Sequence, residues 1–160
     1  MALMASKGEL TPMPDCAIFA DTGAEPKHVY EQLNKIQEIV PFPVYTVMQK
    51  DGLEQGINGA FNGNRYASVP FFTESRSGGG MLRRQCTTEY KIMPIQRKIR
   101  ELLGLKKGQR GPKEVSVKQW IGISMDESHR MKPNQIGWIE NIWPLVGVGM
   151  HRYHCLQWME

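Results

Sequence analysis

Long apolar runs are missing from this sequence. No stretch of its 160 residues approaches the roughly 20 needed to cross a bilayer, so no membrane span is expected. The opening residues Met1–Glu9 carry no basic stretch followed by an apolar block, so a secretory signal is not expected either. Cysteine is scarce. Cys16, Cys86 and Cys155 are odd in number and far apart, which argues against a disulfide framework and makes a reducing cytoplasm the expected compartment. No Cys-x-x-Cys pair occurs, so a closed zinc site has no support. Glycine and proline together make 26 of 160 residues, below the level of a low-complexity chain, and no internal repeat is present. What is there, 41% apolar and 22% charged residues, fits one globular domain over 1–160 with a real core.

The net charge of +4 is unevenly spread. Between Arg83 and Lys113 stand ten Lys/Arg against two Glu, while the rest of the chain is net acidic. Such a concentration suits an anionic partner (nucleotide phosphate, a sulfate ester or a nucleic-acid backbone), or else a solvated helix face followed by a basic loop.

Met1–Lys7 reads as the end of a helix stopped by Gly8. Cys16–Ala20 is a short continuous apolar run, the pattern of a buried parallel strand, with Cys16 assigned to the core. Pro26 suits the first position of a helix running to about Ile39, whose residues Val29, Leu33 and Ile36 form, with Val40, one apolar stripe. Val44–Met48 follows as a second strand, so the unit is strand–helix–strand. Residues 50–80 hold seven glycines and are expected to be a surface excursion anchored by Phe71 and Phe72. Ile92, Ile95, Ile99 and Leu102 predict another helix, with Pro94 in its first turn and Gly104 at its end. Gln119–Ser124 reads as a third strand, in which Gly122 is expected to mark a close backbone approach. An apolar segment at Ile142–Val146 then precedes a last helix, Met150–Glu160.

Two strand ends are dense in polar groups. Asp21 and Thr22 end the first strand, where ligands of open α/β sheets bind. They either bond a ribose hydroxyl or base edge, with Gly23 allowing close approach, or they shape the turn and cap the next helix. Ser124, Asp126, Glu127 and Arg130 follow the third strand. Arg130 either takes a phosphate or sulfate oxygen, oriented by Asp126 or Glu127, or belongs to a polar loop with internal ion pairs. Cys86, beside Arg83 and Arg84 and ahead of the basic helix, is placed as a nucleophile, a redox thiol or one iron–sulfur ligand, or else is an inert buried thiol. His151, His154 and Cys155 share a helix face but find no further ligand and read as packing or surface residues, and His28 and His129 carry no role.

These pieces, in order, resemble the phosphoadenylylsulfate (PAPS) reductase family. It belongs to the adenine-nucleotide alpha-hydrolase-like group with the related ATP pyrophosphatases, and the resemblance is strongest to short, phage-associated members. It is carried by Ile18-Phe19-Ala20-Asp21-Thr22-Gly23-Ala24-Glu25-Pro26, by Arg84-Gln85-Cys86-Thr87 with Tyr90-Lys91-Ile92-Met93-Pro94-Ile95, by Trp120-Ile121-Gly122-Ile123-Ser124 with Asp126, Glu127 and Arg130, and by Trp143-Pro144-Leu145. The resemblance implies an α/β fold, an open, Rossmann-like parallel sheet flanked by helices, with an adenine nucleotide (ATP or PAPS) across the strand ends. Asp21, Thr22 and Gly23 would line the nucleoside, with Gly122, Ser124, Asp126 and Glu127 in the second loop. Arg84, Lys91 and Arg130 would face phosphate or sulfate, and Cys86 could belong to an iron–sulfur site. Reduction of a sulfonucleotide would draw on a thioredoxin-like thiol donor.

This sequence departs from the family pattern. The opening strand and its glycine/serine-rich phosphate loop would precede Met1, the carboxyl-terminal cysteine region would follow Glu160, and Ser124 stands where many reductases carry arginine. The expectation is therefore a truncated domain lacking the first strand, binding a small-molecule nucleotide with weak or no catalysis. The competing expectation is a non-enzymatic module that holds nucleic acid through residues 83–113, or that assembles as a homo-oligomer through exposed sheet edges.

Overall fold

The computed structural model describes residues 1–50, 52–63, 69, 72–75, 78–81 and 85–160. They divide into two units, one formed by Met1–Met13 with Lys107–Glu160, the other by Pro14–Lys106.

The first unit opens with α1 (Ala2–Ser6). Its end is closed as expected. The Gly8 N–H donates to Ala5 O at 2.9 Å and the Glu9 N–H to Met4 O at 2.9 Å, so two terminal carbonyls are satisfied by a left-handed cap.

In the second unit, β1 (Ala17–Asp21) leads through α2 (Lys27–Ile39) to β2 (Val44–Met48). The strands pair in parallel, from Ala17 opposite Val44 to Asp21 opposite Met48, so both carboxyl ends lie side by side. The stripe of α2 turns inward as its spacing requires, with Val29, Leu33 and Ile36 half-buried and Val40 buried. Pro26 is the N-cap rather than the first helical residue, and Cys16 is half-buried rather than in the core. The expected excursion at 50–80 contains α3 (Gly52–Phe61) and an antiparallel pair, β3 (Phe72–Ser75) with β4 (Gly78–Met81). Leu53, Gly56, Ile57 and Ala60 form the inward face of α3. Phe72 is 88% exposed, so it does not anchor this segment; Phe71 lies outside the described residues.

The basic helix begins with a π-helical turn, Thr88–Ile92, and continues as α4 (Met93–Leu102), with Pro94 in its first turn. The wider turn shifts the register of everything after it relative to a plain helix. Tyr90, Pro94 and Ile99 are buried, while Ile92 and Leu102 of the expected stripe are exposed. This helix packs on β1 and β2, and Lys98 Nζ lies 4.3 Å from the centre of the Tyr45 ring.

The remainder of the first unit builds a second parallel pair. β5 (Val117–Trp120) lies beside β6 (Ile139–Ile142), with Val117 opposite Ile139 and Trp120 opposite Ile142. The expected strand at 119–124 thus starts and ends earlier. Its Ile121 N–H still bonds Ile142 O at 2.9 Å, before the Ile123 N–H turns back to Ile121 O. A 3-10 helix (Met125–Arg130) follows, and the segment expected around 142–146 is the end of β6 joined to α5 (Pro144–Gly147). The last helix, α6 (Arg152–Met159), is shorter than expected. It is tied to the amino-terminal segment by a 2.6 Å bond from Trp158 Nε1 to Glu9 Oε2, with Lys7 Nζ 4.5 Å over the Trp158 ring. Met4, Ala5, Leu10, Ile123, Trp138, Ile139 and Leu145 form the core of this unit.

The chain is thus mixed α/β, with short parallel pairs packed against helices and, among the described residues, no closed sheet. Among the described residues the strands pair two by two, where one continuous sheet was expected. No described helix is long and apolar enough to cross a membrane.

Candidate functional site

The carboxyl end of β1 is shaped by its own side chains. Asp21 Oδ1 accepts the Gly23 N–H at 2.7 Å, a local turn that aspartate forms readily, and also the Tyr30 hydroxyl at 2.8 Å. Gly23 sits at φ +73°, in the left-handed region where residues with a Cβ are strained. The Tyr30 pKa is raised above its ordinary 10.0, first because its proton is held by Asp21, and further by partial desolvation and the Asp21 charge.

Thr22 is 8% exposed and fully engaged. Its hydroxyl donates to Glu25 Oε1 at 3.0 Å and accepts the Ala24 N–H at 3.4 Å, while its carbonyl accepts the Leu53 N–H at 2.8 Å and so ties α3 to the turn. The same Glu25 Oε1 lies 3.6 Å from Lys91 Nζ. Asp21, Thr22, Gly23 and Lys91, all expected in the site, are therefore gathered by the β1 turn and the π-helical turn. Glu25 and Tyr30 are further members that sequence reasoning did not single out. For Glu25 a signal existed, since Thr22-x-x-Glu25 has the spacing of a reciprocal Thr/Glu pair. For Tyr30 there was none, because its reach back to Asp21 depends on the packing of α2.

Arg84 lies outside the described residues. Cys86 is half-buried in the helical turn that leads into Thr88–Ile92, and Cys16, Cys86 and Cys155 are all free thiols. Among the described residues no group of three or more His, Cys, Asp or Glu could hold a metal ion. The Cys16 thiol is pushed above its ordinary 9.0 mainly by burial, with Asp15 adding to the effect and Lys98 opposing it.

The second expected group gathers in the other unit. Ser124 is buried at the start of the 3-10 helix, where its carbonyl accepts the Glu127 N–H at 2.9 Å. Glu127 and Arg130 form an ion pair across one turn, with Arg130 exposed. Of the two carboxylates expected beside Arg130, Glu127 is thus the one that meets it, and Asp126 has another partner. Its Oδ1 accepts the Arg152 N–H at 2.7 Å and so holds the first turn of α6. That bond, helped by the Ser124 hydroxyl and the nearby His151, keeps the Asp126 carboxyl below its ordinary 3.8 against an opposing desolvation. At Gly122 the near neighbour is a side-chain end rather than the close backbone approach expected: a Cβ there would lie 3.3 Å from Met1 Cε. His151 and His154 serve the same helix start, with the His151 N–H donating to His154 Nδ1 at 3.1 Å.

The basic segment is not a uniform cationic face. Lys91 meets Glu25, Arg97 meets Gln49, Lys98 meets Glu101 at 2.7 Å, and Arg100 donates to Lys106 O at 3.4 Å. The segment is also divided between the two units after Lys106. Comparison with known proteins finds no matching family model, no similar curated protein and no similar solved structure.

Proposed function

We propose that this chain binds an adenine nucleotide or sulfonucleotide, ATP or PAPS, at the carboxyl end of β1, in the manner implied by the PAPS reductase and ATP pyrophosphatase resemblance. One observation carries the reading. At the tip of a parallel strand followed by a crossover helix, a carboxylate, a buried hydroxyl and a lysine stand together around a left-handed glycine. Ligands of such units lie beyond the strand tips. In this reading Asp21 accepts the ribose hydroxyls, Gly23 lets the nucleoside approach the backbone, and Lys91 neutralises phosphate or sulfate.

Lys91 belongs to a π-helical turn, a device frequent at functional sites. Arg130, in the other unit, is paired with Glu127 and takes no part in this reading of the β1 turn. Cys86, ahead of Lys91 on the same helical run, is the nucleophile candidate of the reductase reading, with an external thiol donor. The pyrophosphatase reading leaves it without a role. Binding is common to both. The nucleic-acid reading is weaker, because much of the described basic segment is already paired locally.

Calorimetric titration with ATP, PAPS and adenosine phosphosulfate tests the proposal. Saturable one-to-one binding, weakened at least about tenfold by Lys91→Met, is the expected result. Absence of binding of all three nucleotides at millimolar concentration would overturn it.

A further inference from the structure

Glu25 occupies an unusual position for a loop carboxylate. Its side chain is only 21% exposed, and a single oxygen, Oε1, receives the Thr22 hydroxyl at 3.0 Å and faces the Lys91 ammonium at 3.6 Å. Thr22 is itself buried, so its donor is aimed inward at this oxygen rather than at water. The carboxylate also stands one residue before Pro26, the N-cap of the 13-residue α2, which has no side-chain cap and no acidic residue in its first turn. A hydroxyl and an ammonium thus face one negatively charged oxygen, on the residue that precedes the N-cap of a helix. Those are the groups that hold a phosphate or sulfate oxygen elsewhere in proteins.

We infer that Glu25 is a built-in substitute for a ligand's oxyanion: Thr22 and Lys91 form an anion subsite that the chain fills with its own carboxylate until a phosphate or sulfate group displaces it. The identity of the full ligand rests on the nucleotide reading above, but the anion subsite does not. The displacement is an exchange of partners. The incoming oxyanion takes the Thr22 hydroxyl and the Lys91 ammonium, and Glu25 swings toward water on the loop Gly23–Pro26. Glu25 therefore opposes binding twice, by occupying the donors and by repelling the incoming charge. This explains why a mostly buried carboxylate stands among the residues expected to face phosphate. Glu25 also links the β1 turn to the π-helical turn.

The test is calorimetry on the full chain with inorganic pyrophosphate, sodium sulfate and ATP, at constant ionic strength, for wild type, Glu25→Gln, Lys91→Met and the double variant. Glutamine keeps a carbonyl oxygen for Thr22 but removes the charge, and Glu25→Ala serves as a second variant should the amide perturb folding. The expected result is pyrophosphate and sulfate binding at least about tenfold tighter in Glu25→Gln than in wild type, with the gain lost in the double variant. Equal or weaker anion binding in both Glu25 variants would overturn the inference, as would a gain that survives loss of Lys91. The ATP arm separates this inference from the nucleotide reading. Anion gain without ATP binding keeps the subsite and removes the nucleotide, whereas wild-type ATP binding with no anion gain does the reverse.

Discussion

Replacing Thr22 by valine isolates one hydroxyl at the centre of the β1 turn. Valine keeps the branched shape and the carbonyl that binds Leu53, and it removes only the donor to Glu25 and the acceptor for Ala24. A hydrogen bond to a charged group contributes about 1.5–3 kcal/mol. Glu25 retains some contact with water, at 21% exposure, so the lower half of that range applies, about 1.5–2 kcal/mol. For a chain of this size each kcal/mol moves the melting temperature by about 2–4 °C, giving an expected fall of about 3–8 °C. Thr22→Ser is the control. It keeps the hydroxyl and loses one methyl group, about 1 kcal/mol or less. Urea unfolding followed by circular dichroism measures both variants. A serine variant less stable than the valine variant, or a valine variant as stable as wild type, would refute the placement of that hydroxyl as the turn's main support.

Other consequences follow from contacts away from the turn. A Cβ on Gly111 would lie 2.7 Å from Trp138 Cδ1 and Cε2 and closer still to Nε1, so Gly111→Ala should destabilise the fold by about 1–3 kcal/mol in urea unfolding. The depressed Asp126 carboxyl contributes stability above its ordinary 3.8, and that stability is lost as pH falls through its lower folded value. Asp126→Asn, which keeps an oxygen for the Arg152 N–H, should flatten the acid limb of the stability profile below that pH; an unchanged limb would count against the contact. Cys16, with its thiol pushed up by burial, should alkylate at pH 8 more slowly than free cysteine, as mass spectrometry of timed iodoacetamide reactions would reveal.

The parts of this fold that were legible are those whose signal is local. The α2 stripe is readable because Val29, Leu33 and Ile36 repeat at the helical period, and Gly8 and Glu127–Arg130 because a cap and a one-turn ion pair need only near neighbours. The α3 helix was hidden by Gly52, Gly56 and Gly59, each weakly helix-forming; it is joined to the rest by the bond from Leu53 to Thr22, which no local pattern reveals. The strand Ile139–Ile142 is only four residues long and does not alternate apolar with polar (Ile-Glu-Asn-Ile), so it leaves no pattern to read, and it is completed by pairing with a strand some 20 residues earlier. At the site, Asp21 and Thr22 were open to two readings, as ligand contacts or as turn formers. The structure shows their turn-forming bonds, and Thr22 also donates to Glu25, which in turn faces Lys91. Between the two carboxylates that could pair with Arg130, the sequence could not choose; Glu127 does so one turn away, while the partner of Asp126 is the amide of Arg152, 26 residues away.

Centrally, an adenine nucleotide is proposed to settle at the tip of β1. Amide chemical shifts of the isotopically labelled chain, followed during titration with ATP, test it most directly. Saturable shifts concentrated on Asp21–Glu25 and on Lys91 are predicted. A spectrum unmoved at these positions by millimolar ATP, or shifts confined to other residues, would contradict it.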